Sequence, residues 1–291
     1  MKKVLRNFVF MLAYGCSTPV LMAADTSTLS FVNNIPFINV SIGSVETRMM
    51  IDSGGALLIS IPESTVVKSK SVDLLPGKNR FRDIAGKEYQ VQKLLARNVI
   101  VGSTRLEPVE GQIHVQWGGA PEGPDAPLTI ARQLGALGIG AFGDRKILLD
   151  YQKRIISIYE AGESLEFGPN HWIELPMEYG KIGPNITLKL GESQVKFILD
   201  TGAQVNLVNG AKFKKDAQCS PNSGNAASCD EKRVGMLQGT EGVLLGELSA
   251  ERVDLSGAPF DGILGAPFFQ KYRVVFDISG KRLYIAALDQ D

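Results

Sequence analysis

The chain has 291 residues, 44% of them hydrophobic, and its 31 Lys and Arg side chains are balanced by 31 Asp and Glu. This is apolar material for one large domain or two of ordinary size. The even balance leaves no basic field for nucleic acid and no acidic excess, which argues against a charge-driven partner.

The first residues read as an export leader. Lys2, Lys3 and Arg6 make a basic start, Phe8 to Tyr14 an apolar run, and Met22-Ala23-Ala24 a small-residue exit, so 1–24 is expected to be a signal peptide. The run is broken by Gly15, Ser17 and Pro19 and is shorter than the roughly 20 apolar residues of a membrane span. The stretch Ala13-Tyr14-Gly15-Cys16 has the outline of a lipoprotein cleavage box, with Ala and Tyr where Leu and a small residue are usual. Cleavage near Ala23 or Ala24, and export to a bacterial periplasm without lipidation at Cys16, is the preferred reading.

Beyond the leader the chain is written twice. Shifted by 148 positions, Phe37–Ser60 lies on Asn185–Val208 without a gap, so that Gly43 meets Gly191, Asp52 meets Asp200 and Gly54 meets Gly202. Each copy reads as strand, glycine turn, strand, with the second strand delivering an aspartate to a loop. A second block repeats at a shift of 127, where Gly135, Leu137, Gly138, Phe142 and Asp150 meet Gly262, Leu264, Gly265, Phe269 and Asp277. Each copy of this block ends in a hairpin, and its turns begin at Asp150 and Asp277, where aspartate is read as structural. The two shifts differ by 21 residues, and the surplus is placed in 103–133, a proline- and glycine-rich segment expected to contain a long loop.

The expected architecture is all-β: two tandem lobes, 25–160 and 161–291, related by a pseudo-two-fold axis with a cleft between them. Equivalent residues near such an axis meet. If Asp52 and Asp200 stand there, two carboxylates share one site and one proton, an acid beside a base. Such a pair can activate water against an amide with neither a metal nor a covalent intermediate, so no cofactor is expected. Ser53 and Thr201 carry hydroxyls able to brace facing loops, while Gly54 and Gly202 allow tight turns and leave room for substrate.

The motifs Asp52-Ser53-Gly54-Gly55 and Asp200-Thr201-Gly202-Ala203 follow apolar strands, and each is followed downstream by an apolar-apolar-Gly triplet, Ala136-Leu137-Gly138 and Ile263-Leu264-Gly265. In this the chain resembles retropepsin-type aspartic proteases, in a fused single-chain form similar to exported bacterial members. The resemblance implies two retropepsin-like closed β lobes and a catalytic pair of Asp52 and Asp200, supported by Ser53, Gly54, Thr201 and Gly202. It also implies flaps over the cleft from the hairpins around 83–91 and 237–245. The partner would be a protein or peptide bound as an extended strand. Because one chain supplies both aspartates, a monomer is expected.

Cys219 and Cys229 are the cysteines left after the leader, and their short polar loop suits a disulfide. With only His114 and His171 besides, no Cys/His metal set is evident. Tyr89 is read equally as a flap residue or as packing, and Trp117 and Phe142 as core or lobe-interface residues. Serine-hydrolase, phosphate-loop and zinc-protease signatures do not occur. The rival to an aspartic endopeptidase is a two-lobed peptide-binding or scaffold protein of the cell envelope that kept the cleft without turnover.

Overall fold

The computed structural model describes residues 24–55, 57–82, 88–115, 134–165, 172–214, 233–239 and 241–288. Residues 1–23 with Cys16, residues 83–87 of the expected first flap, Trp117, His171, and Cys219 with Cys229 lie outside the described residues. Among the described residues the regular structure is nearly all strand, in three sheets.

In the first copy, strands Ile35–Ile42 and Val45–Asp52 form an antiparallel hairpin that turns at Gly43, whose φ is +62°. In the second, Gly183–Leu190 and Ser193–Leu199 do the same around Gly191 at +61°. A left-handed turn residue is needed at each tip, which is why glycine stands at both. A short third strand then runs parallel beside the aspartate-bearing one. Ala136–Gly138 pairs Met50 with Ala136 and Ile51 with Leu137. Gly262–Leu264 pairs Ile198 with Ile263 and Leu199 with Leu264. The register is the same in both copies under the 148 and 127 shifts.

The first-copy sheet has ten strands and the second-copy sheet eight, and each includes a hairpin inserted between its two sequence blocks. In the first copy that hairpin is Val72–Arg82 with Glu88–Ala96, in the second Arg233–Gln238 with Leu244–Ser249. Of the segment 103–133, Thr104–Arg105 and Val109–Ile113 are strand, and 116–133 lies outside the described residues.

The third sheet joins the halves. Its six strands are, in spatial order, Asp25–Thr28, Ile155–Tyr159, Lys146–Asp150, Tyr272–Asp277, Arg282–Ala287 and Ile173–Pro176. At its centre Leu148 faces Val275, which is its own equivalent under the 127 shift. On either side Ile147 faces Phe276 and Leu149 faces Val274, each opposite the mate of the other. A self-complementary pairing of this kind is what a two-fold axis produces, so the pseudo-axis passes between Leu148 and Val275. The outer strands obey the same relation, since Asp25 opposite Ile158 and Ile173 opposite Ile285 match under the two shifts. The duplication therefore reaches back to Asp25, upstream of the block visible in the sequence.

Both hairpins of the shared sheet end in the same turn. Asp150 Oδ1 accepts the Lys153 N–H at 2.8 Å and Asp277 Oδ1 accepts the Gly280 N–H at 2.7 Å, with Arg154 and Lys281 at positive φ just after. One continuous apolar core draws on both copies and includes Ile51, Leu137, Phe142, Leu199, Leu264 and Phe269. Among the described residues no helix is long and apolar enough to cross a membrane.

Because the central sheet takes strands from both halves, its loss should unfold both together. Phe276→Ala, which empties a fully buried site there, is expected to cost about 3–5 kcal/mol. Denaturant unfolding should remain a single transition, and two separated transitions would show that the halves are independent.

Candidate active site

Each aspartate stands at the end of an apolar strand that has nowhere to go but the core. Ile51 and Leu199, just before them, have no exposed surface. Asp52 ends its strand and Asp200 follows the last residue of its own, where its N–H donates to Leu264 O at 2.9 Å on the neighbouring parallel strand.

The residues after them bind the two copies to each other. Ser53 Oγ donates to Leu199 O at 2.8 Å and accepts the Thr201 N–H at 3.0 Å. Reciprocally, Thr201 Oγ1 donates to Ile51 O at 2.6 Å and accepts the Ser53 N–H at 3.0 Å. Both residues are completely buried. Each hydroxyl uses its donor and an acceptor on the opposite strand end, so four backbone groups that would otherwise be buried unpaired are satisfied across the interface.

The glycines are positioned by contact. Gly54 N–H donates to Asp52 Oδ1 at 2.9 Å and Gly202 N–H to Asp200 Oδ1 at 2.8 Å. A β-carbon at Gly54 would overlap the Asp200 carboxyl. One at Gly202 would lie 3.1 Å from Asp200 Oδ1 and 3.3 Å from Asp52 Oδ1. The two carboxyls are thus neighbours across the pseudo-axis, pressed against the bare backbone of the opposite loop. The downstream glycines close the floor. A β-carbon at Gly138 would overlap Leu57 O, and one at Gly265 would overlap Val205 O, its counterpart. Their amides are also spoken for, Gly138 donating to Leu58 O and Gly265 to Asn206 Oδ1, both at 2.8 Å.

Each aspartate keeps a solvent-facing edge while its carboxyl is otherwise enclosed by protein. Burial pushes Asp200 up to about 7, the charge of Asp52 adds to the rise, and the Gly202 and Ala203 amides oppose it. Asp52 is raised by the same burial, against the Gly54 amide. Two carboxylates in one enclosed site cannot both ionise cheaply, so the pair retains a proton far above the ordinary carboxylate range.

Several residues near the pair carried no signal in the two repeat blocks. Gly183, at φ +80°, packs its turn against Ser53 O and the Gly54–Gly55 backbone. The hydroxyls of Tyr151 and Tyr179 are buried, and after burial the charge of Asp200 raises the one phenol and that of Asp52 the other. Tyr179 is the 148-shift counterpart of Phe31, and extending the repeat upstream of Phe37 would have brought it into view. Of the other residues singled out, Phe142 is core, Tyr89 stacks on Phe81 with ring centroids 5.0 Å apart, and His114 Nδ1 is hydrogen-bonded to Ser60 Oγ at 2.9 Å.

Thr201→Val, close in shape, strands the buried Ser53 N–H and Ile51 C=O. It should cost about 1–3 kcal/mol, as should Ser53→Ala, and the double variant should lose less than the sum. Equilibrium denaturation of the three proteins measures this. The raised Asp200 makes a second, pH-dependent prediction. With 7 in the folded state against an ordinary 3.8, the native protein holds a proton that the unfolded chain has released, so the stabilisation is complete below about 4 and lost as pH rises through about 7. The stability of the protein relative to Asp200→Asn should therefore fall across that window, by at most about 1.4 kcal/mol per pH unit.

No protein-family model and no curated protein matches the sequence. Among solved structures the chain is similar to an aspartic proteinase from Irpex lacteus, with a TM-score of 0.57 over 92% of this chain and 98% of that one, at 15% sequence identity. At that identity the likeness is one of fold, and the chain has the two-lobed all-β fold of an aspartic proteinase.

Proposed function

We propose that this chain is an exported, single-chain aspartic endopeptidase of the retropepsin type, with Asp52 and Asp200 as its catalytic dyad. The observation that carries the reading is the pair of equivalent strand ends, tied by the crossed Ser53 and Thr201 hydrogen bonds, that presses both carboxyls together. A fold alone would not support it, since folds outlive activities. Two enclosed carboxyls with raised proton affinity are what general acid–base attack by water needs.

The shared proton is assigned to Asp200, and Asp52 acts as the base. Asp52 takes a proton from the attacking water as its oxygen bonds to the peptide carbonyl carbon, and Asp200 gives its proton to the carbonyl oxygen. The tetrahedral diol then collapses: one of its hydroxyls returns a proton to Asp200 as the C=O re-forms, the C–N bond breaks, and the proton on Asp52 passes to the leaving nitrogen. Ser53, Thr201, Gly54 and Gly202 support the dyad by fixing its loops and by keeping the space over it free of side chains. The lobes are assigned to 25–160 and 161–291, and the hairpins between the sequence blocks serve as flaps that pair with an extended peptide backbone. Export rests on the leader at 1–24, with periplasmic residence and a Cys219–Cys229 bridge following from the sequence.

Cleavage of an unbiased peptide library by the mature protein across acidic to neutral pH tests this. Asp52→Asn and Asp200→Asn should each lower the rate at least about 100-fold, and the wild-type rate should fall as pH passes about 7. A folded protein that retains peptides but cleaves none at any pH would point instead to a binding protein.

A further inference from the structure

The pseudo-two-fold axis poses a problem for an extended substrate. Rotation about it turns a strand lying across the dyad end for end, so a symmetric cleft would take a peptide in either direction. A group beside the dyad that is present in one copy and missing from the other can tell the two ends of a peptide apart. The short hairpin of the second copy carries such a group. Glu178–Gly180 pairs with the start of Gly183–Leu190, closing at Gly180 and Gly183 around the two-residue tip Lys181-Ile182. A β-carbon at Gly183 would lie 2.8 Å from Ser53 O and 3.2 Å from Gly54 C and from Gly55 N. The hairpin therefore crosses the axis and rests on the dyad loop of the first copy. Gly54 is itself against the Asp200 carboxyl, so Lys181, two residues before Gly183, stands about one loop's thickness from the pair.

The same loop leads into a cavity. Leu57 O occupies the space where a β-carbon of Gly138 would stand, and Gly138 is the residue paired with Asp52 on the neighbouring strand. Leu57 and Leu58 then line a cavity of about 260 Å³, with Leu75 and Leu94 among its other walls. Hairpin and cavity meet at Gly140, where a β-carbon would overlap the Tyr179 hydroxyl and lie 2.9 Å from Leu58 Cδ2. The cavity brings together Lys93 and Glu110, one charge of each sign, which leaves Lys181 as the unbalanced cation on this side of the dyad.

The first copy has the same hairpin without the charge. Ser30–Val32 pairs with the start of Ile35–Ile42, closing at Val32 and Ile35, and its tip is Asn33-Asn34, the 148-shift counterpart of Lys181-Ile182. Lys181 is exposed, and among the described residues it has no ion-pair partner. Carboxylates on nearby elements are engaged elsewhere: Glu178 with Lys196 and Glu160 with Arg145, both at 2.9 Å. The 3₁₀ turn Ile139–Phe142, to which Gly140 belongs, contains no charged residue.

We propose that Lys181 is a specificity-determining residue: its ammonium takes an acidic side chain of the peptide on the side of the cut that runs along the first-copy loop, and so fixes the direction of the peptide in the cleft. A peptide lying the other way would set the same acid beside the neutral amides of Asn33 and Asn34, where no cation answers it. The substrates are then peptides with an aspartate or glutamate within a few residues of the cut, on one side only. This deepens the reading of Asp52 and Asp200 as a peptidase dyad and rests on it, but the contact with Lys181 can be read without turnover.

The experiment compares paired peptides, Glu against Gln at each position around one cut, with the mature protein and its Lys181→Ala and Lys181→Glu variants. At a position on one side of the cut only, Glu should be preferred over Gln by about 2–5-fold in kcat/KM, the worth of a partly exposed ion pair. That preference should vanish in Lys181→Ala, turn against Glu in Lys181→Glu, and shrink as salt is added. A Glu-to-Gln ratio that is the same in all three proteins overturns the proposal and leaves the peptidase standing. If the wild-type protein cleaves nothing, the ratio is read from binding of the same paired peptides. A preference for Glu that Lys181→Glu abolishes would then sustain the contact and remove only hydrolysis, whereas equal binding of both peptides, or none, overturns the proposal as well.

Discussion

The crossed exchange between Ser53 and Thr201 is the interaction on which the site depends. Each hydroxyl reaches over the interface to the strand end of the other copy, so neither loop can adopt its conformation without its partner. The cost of exposing these groups is small in water and large in the buried seam where they sit. The aspartates on either side inherit that rigidity. Their separation is set by backbone groups, not by flexible side chains, and the glycines that follow allow the carboxyls to come close.

A duplicated sequence could have folded as two beads on a string. What prevents this is the six-stranded sheet, where Lys146–Asp150 and Tyr272–Asp277 pair about their own midpoint. That pairing places the axis, and the axis brings equivalent loops together. The same operation explains why each half carries an apolar-apolar-Gly triplet. The triplet must lie parallel to the aspartate-bearing strand, and its glycine must let the carbonyl of Leu57 or Val205 pass where a β-carbon would stand.

Electrostatically, near-symmetry is the difficulty as well as the resource. Two like carboxyls enclosed together raise each other's proton affinity and so hold a proton at neutral pH. Perfect symmetry, however, would leave that proton with no preferred owner. The structure departs from symmetry near the pair, at Phe31 against Tyr179, Tyr151 against Ile278, and Leu58 against Asn206. At the last of these, a backbone carbonyl in one copy and a side-chain oxygen in the other accept the amide of equivalent glycines.

Much of this was legible in the chain, because a repeat without gaps constrains geometry as well as ancestry. The two hairpins with glycine at their tips and the turns at Asp150 and Asp277 follow from local preferences: left-handed turn residues, alternating apolar faces, and aspartate capping backbone amides. What lay hidden involves residues distant in sequence or poor in pattern. The strands Asp25–Thr28 and Ile173–Pro176 are short and share little sequence, so their equivalence emerges only from common pairing partners. Tyr151 and Tyr179 belong to no motif, and only the fold encloses their hydroxyls. The sequence by itself determined that each copy would carry an aspartate at the end of a buried strand, since an apolar run must enter the core and an acid must stop at its edge. Only the tertiary structure decided that the two would face each other with raised proton affinity, because burial and the charge across the axis are properties of neither copy alone.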